Sequence, residues 1–446
     1  MNLFKKKEKF IYFLHIPKTA GTSFIALIDN YFDHDKIFPE QIWHKILNQS
    51  TNQKNFDLIR GHFGYSIKAI TTKKPIYITM LRNPIERTIS FFDHMRLEPK
   101  RNNWVSEEFV NNIKNFQDII QDNQKRKVFS NNQTRYLGQD LEIEKLLKQD
   151  DFEKFRLEEY QEFIEYDKSK KKCLNDAKKR LSDFIFFGVL ERFEESIQLL
   201  FYTFAWKPND NIRKLMIAPK KHYVTEDIKK EIEKMNDLDI QLYEYAQNIF
   251  DKKYNEMIED LKNRYPNNTK NEKISIYKLL NKHYEDNYYN EKQVSGKIDY
   301  NFSQKLFGSG WYYREATSEN NKFFRWTGPG IESEIDLVLP KKDHLKIEFR
   351  VIGYGSIEIL NSIQLIINDE KIELNKEETL EKNPIFVGLY PIIFKGKIQN
   401  IVIEKQKIFS KLIFCVNNIQ ETETFSYTYT KKKRNLGIAI DRIKIE

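Results

Sequence analysis

Residues 10–23, FIYFLHIPKTAGTS, constrain the fold of this chain more than any other stretch. The first seven are nearly all apolar, which is typical of a strand buried on both faces of a parallel sheet. Apolar residues recur at helical spacing from Phe24 onward, so Thr22 and Ser23 stand at a helix start, where unpaired N–H groups and the helix dipole favour an anion. The loop before them consists of Pro17, Lys18, Thr19, Ala20 and Gly21. The sequence therefore predicts a strand, an anion-binding loop with one lysine, and a helix.

The order of residues in this loop distinguishes it from the Walker A pattern, because Lys18 precedes Gly21 and does not follow a second glycine. An ordinary strand-turn-helix with an exposed lysine is the alternative interpretation. The segment HIPKTAGTS resembles the loop that holds the 5'-phosphosulfate of 3'-phosphoadenosine 5'-phosphosulfate (PAPS) in glycan 2-O- and 6-O-sulfotransferases and their bacterial relatives. The resemblance implies that Pro17 through Ser23 bind this nucleotide and that Lys18 also takes part in catalysis.

A histidine stands where the next predicted strand, residues 56–60, ends. His62 lies between Gly61 and Gly64, at the sheet edge where open α/β sheets bind ligands. Its pKa suits proton transfer near neutral pH, although a structural histidine in a turn is the alternative. The resemblance implies that His62 is the general base. The 2-O-sulfotransferases carry a second histidine two residues earlier, and the arginine found there, Arg60, is a candidate acceptor contact.

A second anion motif follows the strand predicted at residues 75–81. Asn83 as cap, Pro84 in the first turn and Glu86 after it form a strong helix-start signal, which places Arg82 at the end of the strand. The segment RNPIERTIS resembles the second PAPS motif of the family, Arg-x-Pro-x-x-Arg-x-x-Ser. The resemblance implies that Arg82 and Ser90 hold the 3'-phosphate, which a guanidinium grips through two donors. A salt-bridged arginine on a surface helix is the alternative.

The resemblance extends over about the first 255 residues, through weaker motifs. Residues 131–138, NNQTRYLG, resemble a segment that borders the acceptor cleft of 6-O-sulfotransferases. In one interpretation Arg135 contacts the acceptor or the nucleotide, and in the other it is a helix-terminal arginine without such a role. A helix is predicted over residues 107–120 with Ser106 as its cap. Residues 140–172 carry no readable motif and are predicted to be a variable insertion. The basic loop at residues 213–222 occupies the position of a segment that, in relatives of the family, folds over the adenosine end of the nucleotide.

The composition changes towards the C-terminus. Residues 256–298 are highly charged and predict a helical connector, whereas residues 299–446 hold short β-branched runs separated by turns, which predicts an antiparallel β-sandwich. Trp311, Tyr312 and Trp326 stack on sugar rings in one interpretation and pack in the core in the other. This region resembles a β-domain appended to bacterial glycosyltransferases and sulfotransferases. Deleting everything after Ser295 is expected to leave nucleotide binding in place.

Charge and cysteine content narrow the classes of function. Lysine and arginine number 74 against 65 acidic residues, a net charge of +9 that attracts anionic ligands. Cys173 and Cys415 are the only cysteines, which excludes a disulfide framework and a cysteine zinc finger. No apolar run approaches the ~20 residues of a membrane helix, so a soluble, cytoplasmic protein is expected.

The predicted fold is therefore α/β, a P-loop-like parallel sheet flanked by helices at residues 1–255, followed by the connector and the β-sandwich. The predicted function is metal-free transfer of a sulfuryl group from PAPS to a hydroxyl of a glycan or lipid-linked saccharide. A tyrosyl peptide as acceptor and a peripheral membrane contact stay open, and no nucleic-acid partner is expected. A kinase is one alternative, although no acidic residue stands at the predicted strand ends to hold Mg²⁺. A non-enzymatic glycan-binding protein is the other.

Overall fold

The computed structural model describes residues 9–46, 56–71, 73–97, 109, 111–141, 170–209, 224–266, 275–288, 296–317, 322–382, 390–406, 408–425 and 431–446. These residues fall into two compact units. The first lies within Met1–Ile25, Lys36–Phe204 and Ile217–Pro266, and the second within Ala26–Asp35, Ala205–Met216 and Asn267–Glu446. Two short segments from the first half of the chain thus pack with the C-terminal strands. The division at residues 255 and 298 stays a prediction, and the compact units differ from it by these segments and by a boundary between Pro266 and Asn267.

The first unit is built on a parallel sheet, as predicted. Its strands are β1 (Lys9–Leu14), β2 (Leu58–Gly61), β3 (Lys74–Leu81) and β4 (Phe186–Val189), in the order β2-β1-β3-β4. All three pairings are parallel, and β1 lies between β2 and β3. Burial of Phe10 through Leu14 explains the apolar run that predicted this strand. The α/β class of this part of the chain is confirmed.

Nine α-helices begin within the described part of the first unit. They are α1 (Gly21–Ile28), α2 (Pro84–Leu97), α3 (Phe116–Gln121), α4 (Asn123–Phe129), α5 (Asn132–Gly138), α6 (Lys170–Asp183), α7 (Phe193–Phe204), α8 (Glu226–Met235) and α9 (Asp237–Arg264). Within the described part of the chain, no helix combines the length and apolarity needed to cross a bilayer.

The helix predicted over residues 107–120 is interrupted in the structure, since Phe109 and Asn111 are helical but residues 112–115 are not. Helix α3 begins after Asn115, whose side chain accepts a hydrogen bond from Asp118 N at 3.2 Å, while Asp118 accepts one from Asn115 N at 2.9 Å. This reciprocal cap starts a new helix after the interruption, which the apolar spacing did not indicate. The proposed cap Ser106, residues 142–169 of the predicted insertion and the basic loop at residues 213–222 lie outside the described residues.

Aromatic packing fixes the start of α1 against the sheet. The rings of Phe24 on α1 and Phe13 on β1 have centroids 4.7 Å apart, and Phe24 also stacks on Phe186 of β4 at 6.0 Å. All three side chains are fully buried, and burying such a ring stabilises the fold by about 1.5–3 kcal/mol. The loop between β1 and α1 is therefore held at both ends by packed elements.

The second unit is antiparallel. A seven-stranded sheet has the order β13-β14-β10-β18-β8-β7, with β5 paired to β18, and a five-stranded sheet has the order β12-β11-β15-β9-β6. The strands are β5 (Ile298–Asn301), β6 (Gly308–Ser309), β7 (Glu315–Ala316), β8 (Phe323–Trp326), β9 (Glu332–Leu337), β10 (His344–Tyr354), β11 (Gln364–Ile367), β12 (Glu370–Ile372), β13 (Leu374–Glu378), β14 (Ile392–Gln399), β15 (Ser410–Cys415), β16 (Gln420–Phe425), β17 (Lys431–Leu436) and β18 (Ile438–Ile445). Strands β16 and β17 form a separate ribbon. Three helices accompany them: α10 (Ile276–Asn287), α11 (Ile357–Asn361) and α12 (Asn400–Glu404).

Apolar side chains of both larger sheets join one core in this unit. Phe349 of β10 meets Phe414 of β15 edge to face at 5.1 Å. Trp311, Tyr312 and Trp326 are each about 5% exposed or less, so these aromatics pack inside, as the packing alternative expected. The antiparallel character of the C-terminal region is confirmed, while the sandwich arrangement stays a prediction.

Residues 205–209 are anchored in the second unit by buried contacts. Trp206 stacks on Tyr31 with centroids 4.3 Å apart, and Lys207 is 2% exposed. Lys207 Nζ lies 3.0 Å from Asp336 and 3.1 Å from Glu334. A chain ending at Ser295 would lose both carboxylates and leave a buried cation unbalanced. The C-terminal deletion is therefore a poor test of nucleotide binding.

Candidate functional site

The loop after β1 has a strained backbone. Lys18 and Ala20 adopt positive φ angles of 71° and 69°, a left-handed conformation that costs a residue with a side chain roughly 1–2 kcal/mol. Thr19 between them is fully buried and donates its hydroxyl to the Ile16 carbonyl at 2.9 Å. Such strain concentrates where a backbone must present its groups to a ligand. The loop therefore has the character of a binding element.

Gly21 is required by a close approach. A Cβ atom at this position would lie 1.6 Å from Nε2 of His15, whose buried ring stacks on Phe13 with centroids 5.3 Å apart. The helix begins at Gly21, next to the exposed Thr22 and the half-buried Ser23. The N–H groups of this first turn have no intrahelical acceptors. The imidazole of His15 thus lies directly beneath the helix start, an arrangement that the sequence analysis did not anticipate.

His62 stands directly after β2, half-buried. Its Nδ1 lies 2.7 Å from the carbonyl oxygen of His15, and its backbone N–H donates to the Gln41 carbonyl at 2.7 Å. Because a carbonyl only accepts hydrogen bonds, Nδ1 carries the proton in the neutral ring. Nε2 is therefore left with its lone pair and can accept a proton.

The electrostatics of the two histidines favour the neutral forms. The ring centroids of His15 and His62 are 4.3 Å apart. Burial lowers the pKa of His62, and the hydrogen bond to the His15 carbonyl offsets part of that effect. The pKa of His15 falls well below its usual value because of burial and then the charges of His62 and Lys18. Both rings are therefore uncharged near neutral pH, and His62 is available as a base.

Arg82 connects the two predicted anion motifs. Its guanidinium donates to the backbone carbonyl of Lys18 at 3.1 Å and lies 3.9 Å from the carboxylate of Glu86, one helical turn along α2. Burial lowers the pKa of Arg82, against the charges of Glu191 and Glu86. Strands β1 and β3 are neighbours, so their carboxyl ends bring Lys18 and Arg82 to the same sheet edge.

The start of α2 has the predicted cap. The side chain of Asn83 accepts hydrogen bonds from Ile85 N at 3.0 Å and Glu86 N at 3.2 Å. Asn83 N in turn donates to Glu191 at 2.9 Å. Ser90 is half-buried one further turn beyond Glu86 on the same helix face. Its contact with a phosphate stays a prediction.

Gln133 binds the backbone of Arg82, and Asp239 in turn binds the backbone of Gln133. Neither residue was predicted from the sequence. The Gln133 amide forms a reciprocal pair with the backbone of Arg82, accepting from Arg82 N and donating to Arg82 O at 2.9 Å each. The fully buried carboxylate of Asp239 accepts from Gln133 N at 3.1 Å and Thr134 N at 2.7 Å. Gln133 lies within the NNQTR segment, which drew attention only for Arg135.

The other arginines of these motifs contact the protein itself. Arg87, the second arginine of RNPIER, is fully buried, donates to the Phe129 carbonyl at 3.3 Å and has its pKa lowered to about 10 by burial, against the charge of Asp239. Arg60 donates to the Phe38 carbonyl at 3.1 Å. Arg135 donates to the carbonyls of Lys127 and Ser130 at the end of α4. These contacts fit the helix-terminal alternative for Arg135, and acceptor roles for Arg60 and Arg135 stay predictions.

The described residues contain no group of three or more His, Cys, Asp or Glu side chains placed to hold a metal ion. The described edge of the sheet instead combines a strained loop, a neutral histidine and a supported arginine. These features are those of an α/β protein whose sheet edge carries a loop and an arginine suited to an anion, together with an uncharged histidine.

Comparison with known proteins identifies the family. The family model described as "Sulfotransferase family" matches residues 1–246, more than half of the chain, and the chain belongs to that family. Heparan-sulfate 6-O-sulfotransferase 1 from Cricetulus griseus, Mus musculus and Homo sapiens is similar to it, each 37% identical over 102 residues. The similarity covers 21% of this chain and 23% of each relative, so the chain spans less than a quarter of the curated relatives it matches. No solved structure matches. The sulfotransferase resemblance of the sequence is confirmed.

Proposed function

We propose that this protein transfers a sulfuryl group from PAPS to a hydroxyl group of a saccharide. The observation that carries the proposal is the meeting of Arg82 with the Lys18 loop at one sheet edge, in a chain of the sulfotransferase family. The relatives named as heparan-sulfate 6-O-sulfotransferases support a glycan as acceptor.

The residues at this edge fit a nucleotide with an anionic group at each end. The first-turn N–H groups of Gly21, Thr22 and Ser23 are suited to 5'-phosphate oxygens, because a helix start carries unpaired donors and partial positive charge. Arg82 and Ser90 are suited to the 3'-phosphate. When bound, PAPS would supply the activated sulfuryl group, and the 5'-phosphate oxygen released from that group would gain negative charge. The ammonium of Lys18 is placed in the loop to stabilise that charge.

His62 is the proposed general base. Because its Nδ1–H is directed to the His15 carbonyl, Nε2 is the nitrogen that takes the proton of the acceptor hydroxyl. The same hydrogen bond stabilises the imidazolium that forms, in the way a second group orients the histidine of a hydrolase triad. His15 is thus a positioning residue that acts through its backbone.

The finer features of the proposal rest on the resemblance. We infer a bacterial-type, cytoplasmic enzyme that needs no metal and acts on a glycan or lipid-linked saccharide, with a C-terminal β-sandwich. Arg60 and Arg135 remain candidate acceptor contacts. Peripheral membrane contact is a further candidate property.

Nucleotide preference tests the proposed function. Adenosine 3',5'-bisphosphate without magnesium should raise the melting temperature of the full chain, because a ligand at 100 times its Kd adds about 2.7 kcal/mol to the folded state. ATP with magnesium should raise it less. A larger shift with ATP and magnesium would favour the kinase alternative, and no shift with either nucleotide would favour a glycan-binding protein without activity.

Replacing Arg82 by alanine should weaken nucleotide binding itself. A hydrogen bond to a charged group contributes about 1.5–3 kcal/mol, so the Kd for adenosine 3',5'-bisphosphate should rise roughly 10- to 150-fold. Isothermal titration calorimetry measures this change. Arg96→Ala removes an exposed arginine in the last turn of α2, the helix that follows Arg82. It is the matched control and should bind as the wild type. Equal binding by both variants would remove Arg82 from the proposed site.

A further inference from the structure

The antiparallel unit carries a second basic site. A concave pocket of about 930 Å³ is lined by the cationic and titratable side chains Lys297, Lys342, His344, Lys346 and Lys397. They come from the start of β10 and the segment before it, from the end of β14 and from the segment before β5. All five side chains are exposed at the pocket surface. Among the described lining residues the acidic side chain is that of Glu446.

The lysines of this pocket are placed against like charge. Lys346 on β10 and Lys397 on β14 stand directly opposite each other in the antiparallel register, a pairing that disfavours the sheet. Two residues further along β10, unlike charges face each other instead: Glu348 stands opposite Lys395 of β14 and opposite Lys444 of β18. Within the described residues, Lys346 and Lys397 form no salt bridge. An anion between them would remove the repulsion.

The acidic side chain of the pocket is already engaged. Glu446 lies 3.3 Å from Lys297, and its backbone pairs with that of Lys346 through hydrogen bonds of 2.7 and 3.0 Å. Its charge therefore offsets one lysine at the rim and leaves Lys342, Lys346 and Lys397 to set the potential of the pocket. A concave site lined by one sign of charge attracts ligands of the opposite sign.

The uncharged side chains that line the pocket suit an acidic saccharide better than a nucleic acid or a membrane surface. Gln399 brings an exposed amide next to His344 in the strand register, and Ile401 is 56% exposed beside it. An amide can bind hydroxyl groups, and an aliphatic side chain can cover the C–H face of a pyranose ring. Among the described lining residues there is no Phe, Tyr or Trp side chain for stacking on bases. A concave surface with one exposed isoleucine also offers little to a bilayer.

We propose that this pocket binds an acidic saccharide chain through its sulfate or carboxylate groups. The proposal rests on the proposed sulfotransferase function for the choice of a saccharide. The pocket holds the chain through Lys342, Lys346 and Lys397, and its affinity falls with salt because exposed charges are screened.

Charge reversal within the full chain tests the pocket. The double variant K346E/K397E should raise the Kd for a heparin dodecasaccharide at least about tenfold, since two attractive contacts become repulsive. The control K322E/K371E makes the same change in net charge at exposed lysines that do not line the pocket and should bind heparin nearly as the wild type. Titrations at saturating adenosine 3',5'-bisphosphate keep the nucleotide site constant. K346Q/K397Q, a milder pair, should give an intermediate Kd.

Equal Kd values for the pocket and control variants would overturn the proposal. So would tighter binding of phosphatidylglycerol vesicles or single-stranded DNA than of heparin by the wild-type chain. The melting temperature with adenosine 3',5'-bisphosphate, measured on the same preparations, separates the two hypotheses. If the nucleotide raises the melting temperature but the pocket variants bind heparin as the wild type does, only the pocket hypothesis fails. If the nucleotide causes no shift but heparin binding depends on the pocket lysines, only the sulfotransferase hypothesis fails.

Discussion

Replacing His62 by alanine is expected to lower turnover ~10²- to 10⁴-fold, the typical contribution of a positioned acid or base. Nucleotide binding should stay close to that of the wild type, because the contacts expected for the nucleotide are made by the Lys18 loop and by Arg82. The loss should appear in kcat and in kcat/KM together. Sulfuryl transfer from labelled PAPS to a glycan acceptor, followed under saturating donor, measures the change.

The pH profile gives the same histidine a second test. Burial lowers the pKa of His62, so the base form persists below the ordinary value of about 6.5 for a histidine. The wild-type rate should be level near neutral pH and fall only as the pH drops below that value, when Nε2 becomes protonated. His62→Ala should lack this acidic limb. His94→Ala, on α2, serves as control and should keep it. Full activity in His62→Ala would assign the base elsewhere.

The local features of the site were accessible from the sequence. The apolar run of β1, the Lys18 loop and the Asn83-Pro84 helix start are encoded within a few residues each, so periodicity and capping rules predict them. The family resemblance then supplied the pairing of the two motifs. The parallel order of strands placed their ends together, which is a general property of α/β sheets.

The supporting contacts were not accessible in this way. Asp239 lies more than a hundred residues from the backbone groups of Gln133 and Thr134 that it binds, and no local pattern marks such a pair. Lys207 likewise looks like one surface lysine among many, yet it is buried against Glu334 and Asp336. In both cases tertiary burial, which composition and periodicity do not encode, decides the role of a charged residue.

Asp239 is expected to have the largest effect on stability. The carboxylate caps the start of α5 and raises the pKa of the buried Arg87 guanidinium against the effect of burial. Asp239→Ala would leave the buried N–H groups of Gln133 and Thr134 without an acceptor, which costs about 1–3 kcal/mol for each unsatisfied group, and would remove the negative charge that favours the Arg87 cation. The midpoint of urea unfolding should fall accordingly, with the slope unchanged.

The conservative variant separates the charge of Asp239 from its hydrogen bonds. Asp239→Asn keeps one acceptor oxygen for α5 but removes the charge, so it should lie between Asp239→Ala and the wild type. Asp237→Ala is the matched control, because this exposed aspartate occupies the first turn of the same helix and its side chain accepts a hydrogen bond from the Asn131 amide at 3.3 Å. Its midpoint should stay near that of the wild type. Since Gln133 links Asp239 to the backbone of Arg82, Asp239→Ala kept folded at low temperature should also bind adenosine 3',5'-bisphosphate more weakly. Wild-type affinity in a destabilised Asp239→Ala would mean that Asp239 supports the fold without positioning Arg82.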